Sequence, residues 1–73
     1  MTDINDVVKS GVYLMQGNAD GAANMPVPNE DYGLLIVFAA KDDRCIQLYS
    51  IANDRGVYIR MCWGVWFGWH KLA

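Results

Sequence analysis

Residues 34–40, with the sequence LLIVFAA, form a nearly continuous apolar run in an otherwise mixed chain. Such a run is typical of a strand that is buried on both faces, although periodicity alone leaves a buried helical turn open. Residues 41–44, KDDR, are polar and predict a turn, and residues 45–51 predict a second strand. The centre of the chain therefore indicates antiparallel β-structure.

Short strands separated by turn residues are expected on both sides of this pair. The sequence ANDRG at residues 52–56 predicts a hairpin, with Gly56 suited to a positive φ. Near the start, Thr2 or Asp3 is expected to cap a short helical turn. The chain as a whole predicts an all-β fold, a small antiparallel meander of about five strands with a long N-terminal loop. The expected strands are residues 12–16, 34–40, 45–51, 57–63 and 66–72.

The long loop, Gly17–Gly33, is rich in glycine, asparagine and proline, which favour turns. A loop of this length is unusual in a compact domain and is often functional or packed by its own side chains.

Length and composition restrict the class of protein. The chain has 73 residues, so we expect one domain, 1–73, with a thin core. The hydrophobic fraction is 53% and the charged fraction only 19%, which favours a surface partly covered by another copy. The net charge of -2 argues against nucleic-acid binding. Neither a membrane-spanning run nor a signal peptide is expected, so the chain is expected to mature in a reducing compartment.

Three tryptophans, Trp63, Trp66 and Trp69, stand three residues apart. Because Gly64 and Gly68 interrupt them, a helix is disfavoured. We expect a turn at Gly64 and then a strand with Trp66 and Trp69 on opposite faces. The aromatic rings could stack on sugars or pack in a core or subunit interface, and packing is the favoured interpretation.

Arg60 lies in the middle of a predicted strand among aromatic residues, where a guanidinium usually stacks or pairs. We predict that Arg60 forms a structural cluster with Tyr58, Trp66 and Trp69. Cys45 and Cys62 lie on neighbouring strands and oppose each other only if cross-strand partners sum to 107 in number. Without a secretion signal, two free and partly buried thiols are the favoured interpretation.

Catalysis, cofactors and metal ions are not expected. His70 is interpreted as a surface residue, since no nucleophile, base and orienting group can be assembled around it. Two cysteines and one histidine are too few for a standard zinc site. The acidic residues lack the spacing of a calcium loop and are interpreted as solvated turn residues.

Taken in order, short motifs along nearly the whole chain resemble the pyocin-knob type domain of bacteriophage tail fibres and R-type pyocin fibres. Each motif is weak alone, and the ordered set is moderately specific. The sequence departs from the family at MCWG, residues 61–64, where a longer polar turn often precedes the paired tryptophans. The motifs are DIND at 3–6, GVY at 11–13, NMP at 24–26, the apolar strand at 34–37, QLY at 47–49, GVYIR at 56–60, and WFGW at 66–69 followed by Leu72.

The resemblance implies a homotrimeric fibre protein of the virion, made in the bacterial cytoplasm, that attaches a phage or phage-like particle to a glycan or protein receptor on the host. A monomeric carbohydrate-binding module and a purely structural fibre segment remain as alternatives. Because fibre tips usually bind through loops, polar loop residues and one tryptophan are the expected receptor-binding residues. They are Asn18, Asp20, Asn24, Asp42, Arg44, Asn53, Asp54, Arg55 and Trp63.

Overall fold

The computed structural model describes residues 3–16, 23–27 and 32–73. It is mainly β, and its five strands form one antiparallel sheet in the order β1-β2-β3-β4-β5. The predicted all-β meander is therefore confirmed. The strands are β1 (Gly11–Gln16), β2 (Tyr32–Lys41), β3 (Arg44–Ile51), β4 (Val57–Trp63) and β5 (His70–Lys71).

The turns between the central strands follow from local residue types. β2 and β3 are joined at Asp42 and Asp43, with a shift of register between Ala39 and Lys41. A 3₁₀ turn, Ala52–Asp54, joins β3 to the segment before β4. Its last two residues have φ values of 63° and 59°, which asparagine and aspartate tolerate better than most side chains. Gly56 follows with φ 144°, as the hairpin signal predicts.

The last predicted strand, residues 66–72, is wrong in extent. Only His70–Lys71 pairs with β4, and Trp66 makes an isolated bridge to Cys62. Gly64 turns the chain with φ 77°, and the segment from Trp66 to Trp69 is not a strand. Trp66 and Trp69 therefore do not point to opposite faces, as a strand would require. Both side chains lie on the side of the sheet that holds Arg60.

The N-terminal segment crosses one face of the sheet. A 3₁₀ turn, Ile4–Asp6, is capped by Asp3, whose carboxylate accepts a hydrogen bond of 2.9 Å from the backbone N–H of Asn5. This agrees with the predicted capped turn. Ile4 and Val7 point into the core.

The face beneath this segment, called the covered face, holds the core. Alternate residues of the central strands point into it, because side chains on a strand alternate between its two faces. Tyr13, Met25, Trp66 and Trp69 pack around its margin. The buried cluster is Ile4, Val7, Met15, Leu35, Val37, Cys45, Tyr49 and Cys62.

The opposite side of the sheet, called the open face, is apolar over four strands. The register places its side chains directly across from one another. None of them is buried. The apolar residues of the open face are Val12 and Leu14 of β1, Leu34, Ile36 and Phe38 of β2, Ile46 and Leu48 of β3, and Val57, Ile59, Met61 and Trp63 of β4.

Gly33 is required where β2 passes closely over β3. A Cβ atom there would lie 2.7 Å from the Tyr49 ring and closer still to the Ser50 carbonyl oxygen. We expect Gly33→Ala to lower the free energy of unfolding by about 1–3 kcal/mol, the usual range for overpacking. Gly68→Ala is the matched control, because a Cβ atom there meets nothing within 4 Å. Urea denaturation measures both, and equal stability of the two variants would contradict the prediction.

Candidate receptor-binding surfaces

Gln47 connects the N-terminal segment to the sheet. Its side chain is completely buried on β3. Gln47 Nε2 donates hydrogen bonds to the carbonyl oxygens of Ile4 at 2.6 Å and Val7 at 2.9 Å. Gln47 Oε1 accepts from Arg60 Nε at 2.9 Å and Nη2 at 2.7 Å. One amide therefore satisfies two loop carbonyls and holds a guanidinium on the next strand.

Arg60 is buried between two indole rings. Its Cζ lies 3.9 Å from the centroid of Trp66 and 4.6 Å from that of Trp69. Burial lowers the pKa of Arg60 to about 10, and the nearby charge of Asp3 opposes this effect. The guanidinium therefore stays charged at neutral pH, and Gln47 Oε1 and the two π-faces replace its water.

The structure thus brings together three of the four residues of the predicted cluster. Arg60 contacts Trp66 and Trp69. Tyr58 lies two residues before Arg60 on the same, covered side of β4, where it is paired with Tyr49 and Lys71. Trp69 Nε1 also donates to a backbone carbonyl oxygen, that of Asn24, at 2.9 Å.

Asn24, a predicted receptor-binding residue, is exposed and also makes structural contacts. Its φ is 66°, its carbonyl accepts from Trp69, and its Nδ2 donates to Asp3 Oδ1 at 2.8 Å. The hydrogen bonds from Asn24 and from the backbone of Asn5 lower the pKa of Asp3. Residues 23–27 are therefore tied to both the N-terminal segment and Trp69.

The hairpin end of the sheet presents three other predicted residues together. Trp63, at the end of β4, is 62% exposed. The register places Arg44 opposite it, and the Arg44 Cζ lies 4.9 Å from the Trp63 ring centroid. Arg44 Nη1 also forms a salt bridge with Asp43 Oδ2 at 3.0 Å. Asp42, the residue before Asp43, lies in the same exposed turn. We call Asp42, Asp43, Arg44 and Trp63 the hairpin patch.

The opposite end of the sheet holds Asn53, Asp54 and Arg55. Asn53 and Asp54 line an open groove of about 510 Å³. The groove also receives Gln16, Tyr32 and Ser50 from the strand ends. These residues lie about a strand length from the hairpin patch, so the predicted receptor-binding residues do not form one site.

Asn18 and Asp20 lie outside the described residues. His70 is exposed on β5, opposite Ile59. Cys45 and Cys62 are directly paired across β3 and β4, so the register condition is met, and both thiols are buried and free. Burial, together with the proximity of Cys62, raises the pKa of Cys45.

Two features of the structure were missed from the sequence. The role of Gln47 could have been found, because the register that pairs the two cysteines also pairs Gln47 with Arg60. The groove beside Tyr32 carried no local signal, since it is assembled from the ends of several strands.

Comparison with known proteins gave no match to this chain among protein-family models, curated proteins or solved structures. Within residues 3–16, 23–27 and 32–73, no three His, Cys, Asp or Glu side chains are grouped so that they could hold a metal ion. No helix in the same part of the chain is long and apolar enough to cross a membrane.

We expect Gln47→Met to destabilise the fold by about 3 kcal/mol or more, because Arg60 and two buried carbonyls lose their partner. Gln16→Met, at an exposed position of β1, is the matched control. Thermal and urea unfolding measure the difference. Adding Arg60→Met to Gln47→Met should cost less than the sum of the two single changes, since the pair acts as a unit. Strict additivity would show that the two side chains are not coupled.

The N-terminal contact predicts a pH dependence of stability. Because the pKa of Asp3 is lowered in the folded state, its contribution is present above the unfolded value and is lost as pH falls through the folded value. We expect Asp3→Asn to lower the melting temperature at pH 7 and to have a smaller effect near about pH 3. Melting curves of both proteins across this range provide the measurement, and a constant difference would contradict the assignment.

Proposed function

We propose that this chain is a knob-like domain of a phage, prophage or pyocin-like tail fibre, present in the virion as a homotrimer, and that it attaches the particle to the surface of a bacterial host. The ordered motifs from residues 3–6 to Leu72 support the fibre assignment. The observation that carries the binding role is the exposed indole of Trp63 beside the charged side chains of the hairpin patch.

The hairpin patch has the chemistry of a glycan-binding surface. An exposed indole offers a flat apolar plane to the C–H face of a sugar ring, and it needs no cavity to do so. The carboxylates of Asp42 and Asp43 accept hydrogen bonds from hydroxyl groups, and the guanidinium of Arg44 donates them. Because Arg44 already stacks near Trp63 and pairs with Asp43, its position is partly set before a ligand arrives.

The groove at the other end is the second candidate position for the receptor. Its volume of about 510 Å³ is large enough for one or two sugar rings, and Tyr32, Asn53 and Asp54 line it. None of the described residues that line it is a lysine or arginine, so they form no cation–π pair such as that of Arg44 and Trp63. We therefore favour the hairpin patch and use the groove as an internal comparison.

The proposal includes no catalytic role, cofactor, nucleic acid or membrane insertion. A bacterial surface glycan or protein receptor is the expected partner, and the chain would be made in the bacterial cytoplasm before assembly into the particle. Of the two alternatives, a monomeric carbohydrate-binding module would bind glycan as a single chain. A purely structural fibre segment would bind no cells at all.

We expect Trp63→Ala and Arg44→Ala each to reduce binding of the labelled domain to intact bacterial cells at least tenfold, measured over a panel of strains. Trp63 is exposed, so the circular dichroism spectrum should be unchanged. Phe67→Ala is the matched control, because Phe67 is an aromatic residue of similar exposure, 53%, away from the hairpin patch.

The outcomes separate the alternatives. Loss of binding only in Asn53→Ala and Asp54→Ala would move the receptor to the groove. Binding that none of these changes affects would refute both positions, and a wild-type domain that binds no strain would indicate a structural segment. Competition by purified surface polysaccharide distinguishes a glycan from a protein receptor.

A further inference from the structure

We propose that the open face is the surface through which copies of this chain pack against one another. The inference refines the assembly part of the proposed function and does not depend on host attachment. It rests on the composition, size and margin of the open face.

The centre of the open face is free of charge. On the four long strands, the described side chains pointing to this side include no aspartate or glutamate, and their only cations, Lys41 and Arg44, are paired at the hairpin end. Among its apolar residues, Val12 is 68% exposed, Leu14 65%, Trp63 62% and Phe38 60%. A contiguous apolar surface of this kind marks an interaction site on a soluble protein.

The size of the open face fits a stable protein interface. The molecule measures 29 × 25 × 19 Å, and one broad side of such a block is about a fifth of its surface. Of the total accessible surface of 4635 Å², the open face therefore accounts for roughly 900 Å², similar to the roughly 800 Å² that each partner buries in a standard interface.

The margin of the open face is polar, as the rim of an interface usually is. Gln16 and Ser50 lie at one end, Arg44 at the other, and His70 beside β4. Trp63 also lies at the hairpin end, so the hairpin patch stays at the rim when the centre is covered.

A second copy is the occupant that matches these features. The uncharged centre of the open face offers no charge pattern for a charged partner to complement, whereas every copy of the chain carries an equally apolar surface of the same size. Copies related by rotation can bring these faces together around one axis and so close the assembly. Three copies around the axis is the arrangement of the proposed fibre.

Light scattering tests the proposal. We expect the wild-type domain to have the mass of three chains of 8.2 kDa each. Phe38→Glu and Leu14→Glu should each lower the mass to that of a single chain. Phe67→Glu, on an exposed aromatic residue that lines a cavity of the covered face together with Arg60 and Trp69, should keep the wild-type mass. An unchanged mass in both open-face variants would overturn the proposal.

A second measurement does not depend on the variants folding. If copies pack together, the melting temperature of the wild-type domain rises with protein concentration. A single-chain mass and a concentration-independent melting temperature would overturn the proposal outright. A dimer that Phe38→Glu dissociates would support the open face as the interface and refute only the trimer. Loss of cell binding with an unchanged mass would concern the hairpin patch alone.

Discussion

The hydrogen bonds of the Gln47 side-chain amide hold the covered face together. It lies in the central strand and has no contact with solvent, so both ends of the amide must be satisfied within the protein. Its Nε2 group holds two carbonyls of the N-terminal segment, and its oxygen holds the guanidinium of Arg60. Arg60 in turn positions Trp66 and Trp69, which come from the other end of the chain. One buried amide thus links both terminal segments over the same side of the sheet.

This network explains why the two faces of the sheet differ. Because hydrogen bonds are directional, the Gln47 network favours one placement of the terminal segments on the covered face. The open face offers mainly apolar contact, which is proportional to area and indifferent to direction. The terminal segments that Gln47 and Arg60 hold lie over the covered face, and the apolar residues of the open face stay partly or largely exposed. In the proposed assembly the second side is covered by other copies, which accounts for the high apolar fraction of so short a sequence.

Most of the fold could be predicted from the sequence, because the apolar run at 34–40 and the turn residues around it act locally. The central strands lie within a few residues of their expected bounds. The predicted strand 66–72 was wrong because Trp66 and Trp69 both stack on Arg60. Strand periodicity does not predict a contact of this kind. The sequence predicted which residues could bind a receptor but not which of them lie close together. Its described members lie at both ends of the sheet and on the covered face, since strand lengths and register decide which turns meet.

The hairpin patch, the amide network and the centre of the open face occupy different parts of the sheet, so the sequence of one can change without altering the others. The hairpin patch is formed by a turn and two strand ends, and its described polar contacts are local to Asp43, Arg44 and Trp63. Gln47 lies on the same strand as Arg44 but on the other face. A change of charge or ring at the hairpin therefore leaves the amide network and the centre of the open face in place. In the proposed role, this arrangement allows receptor preference to change by substitutions that cost the fold and the assembly little, because the residues that recognise the host are not those that hold the chain together.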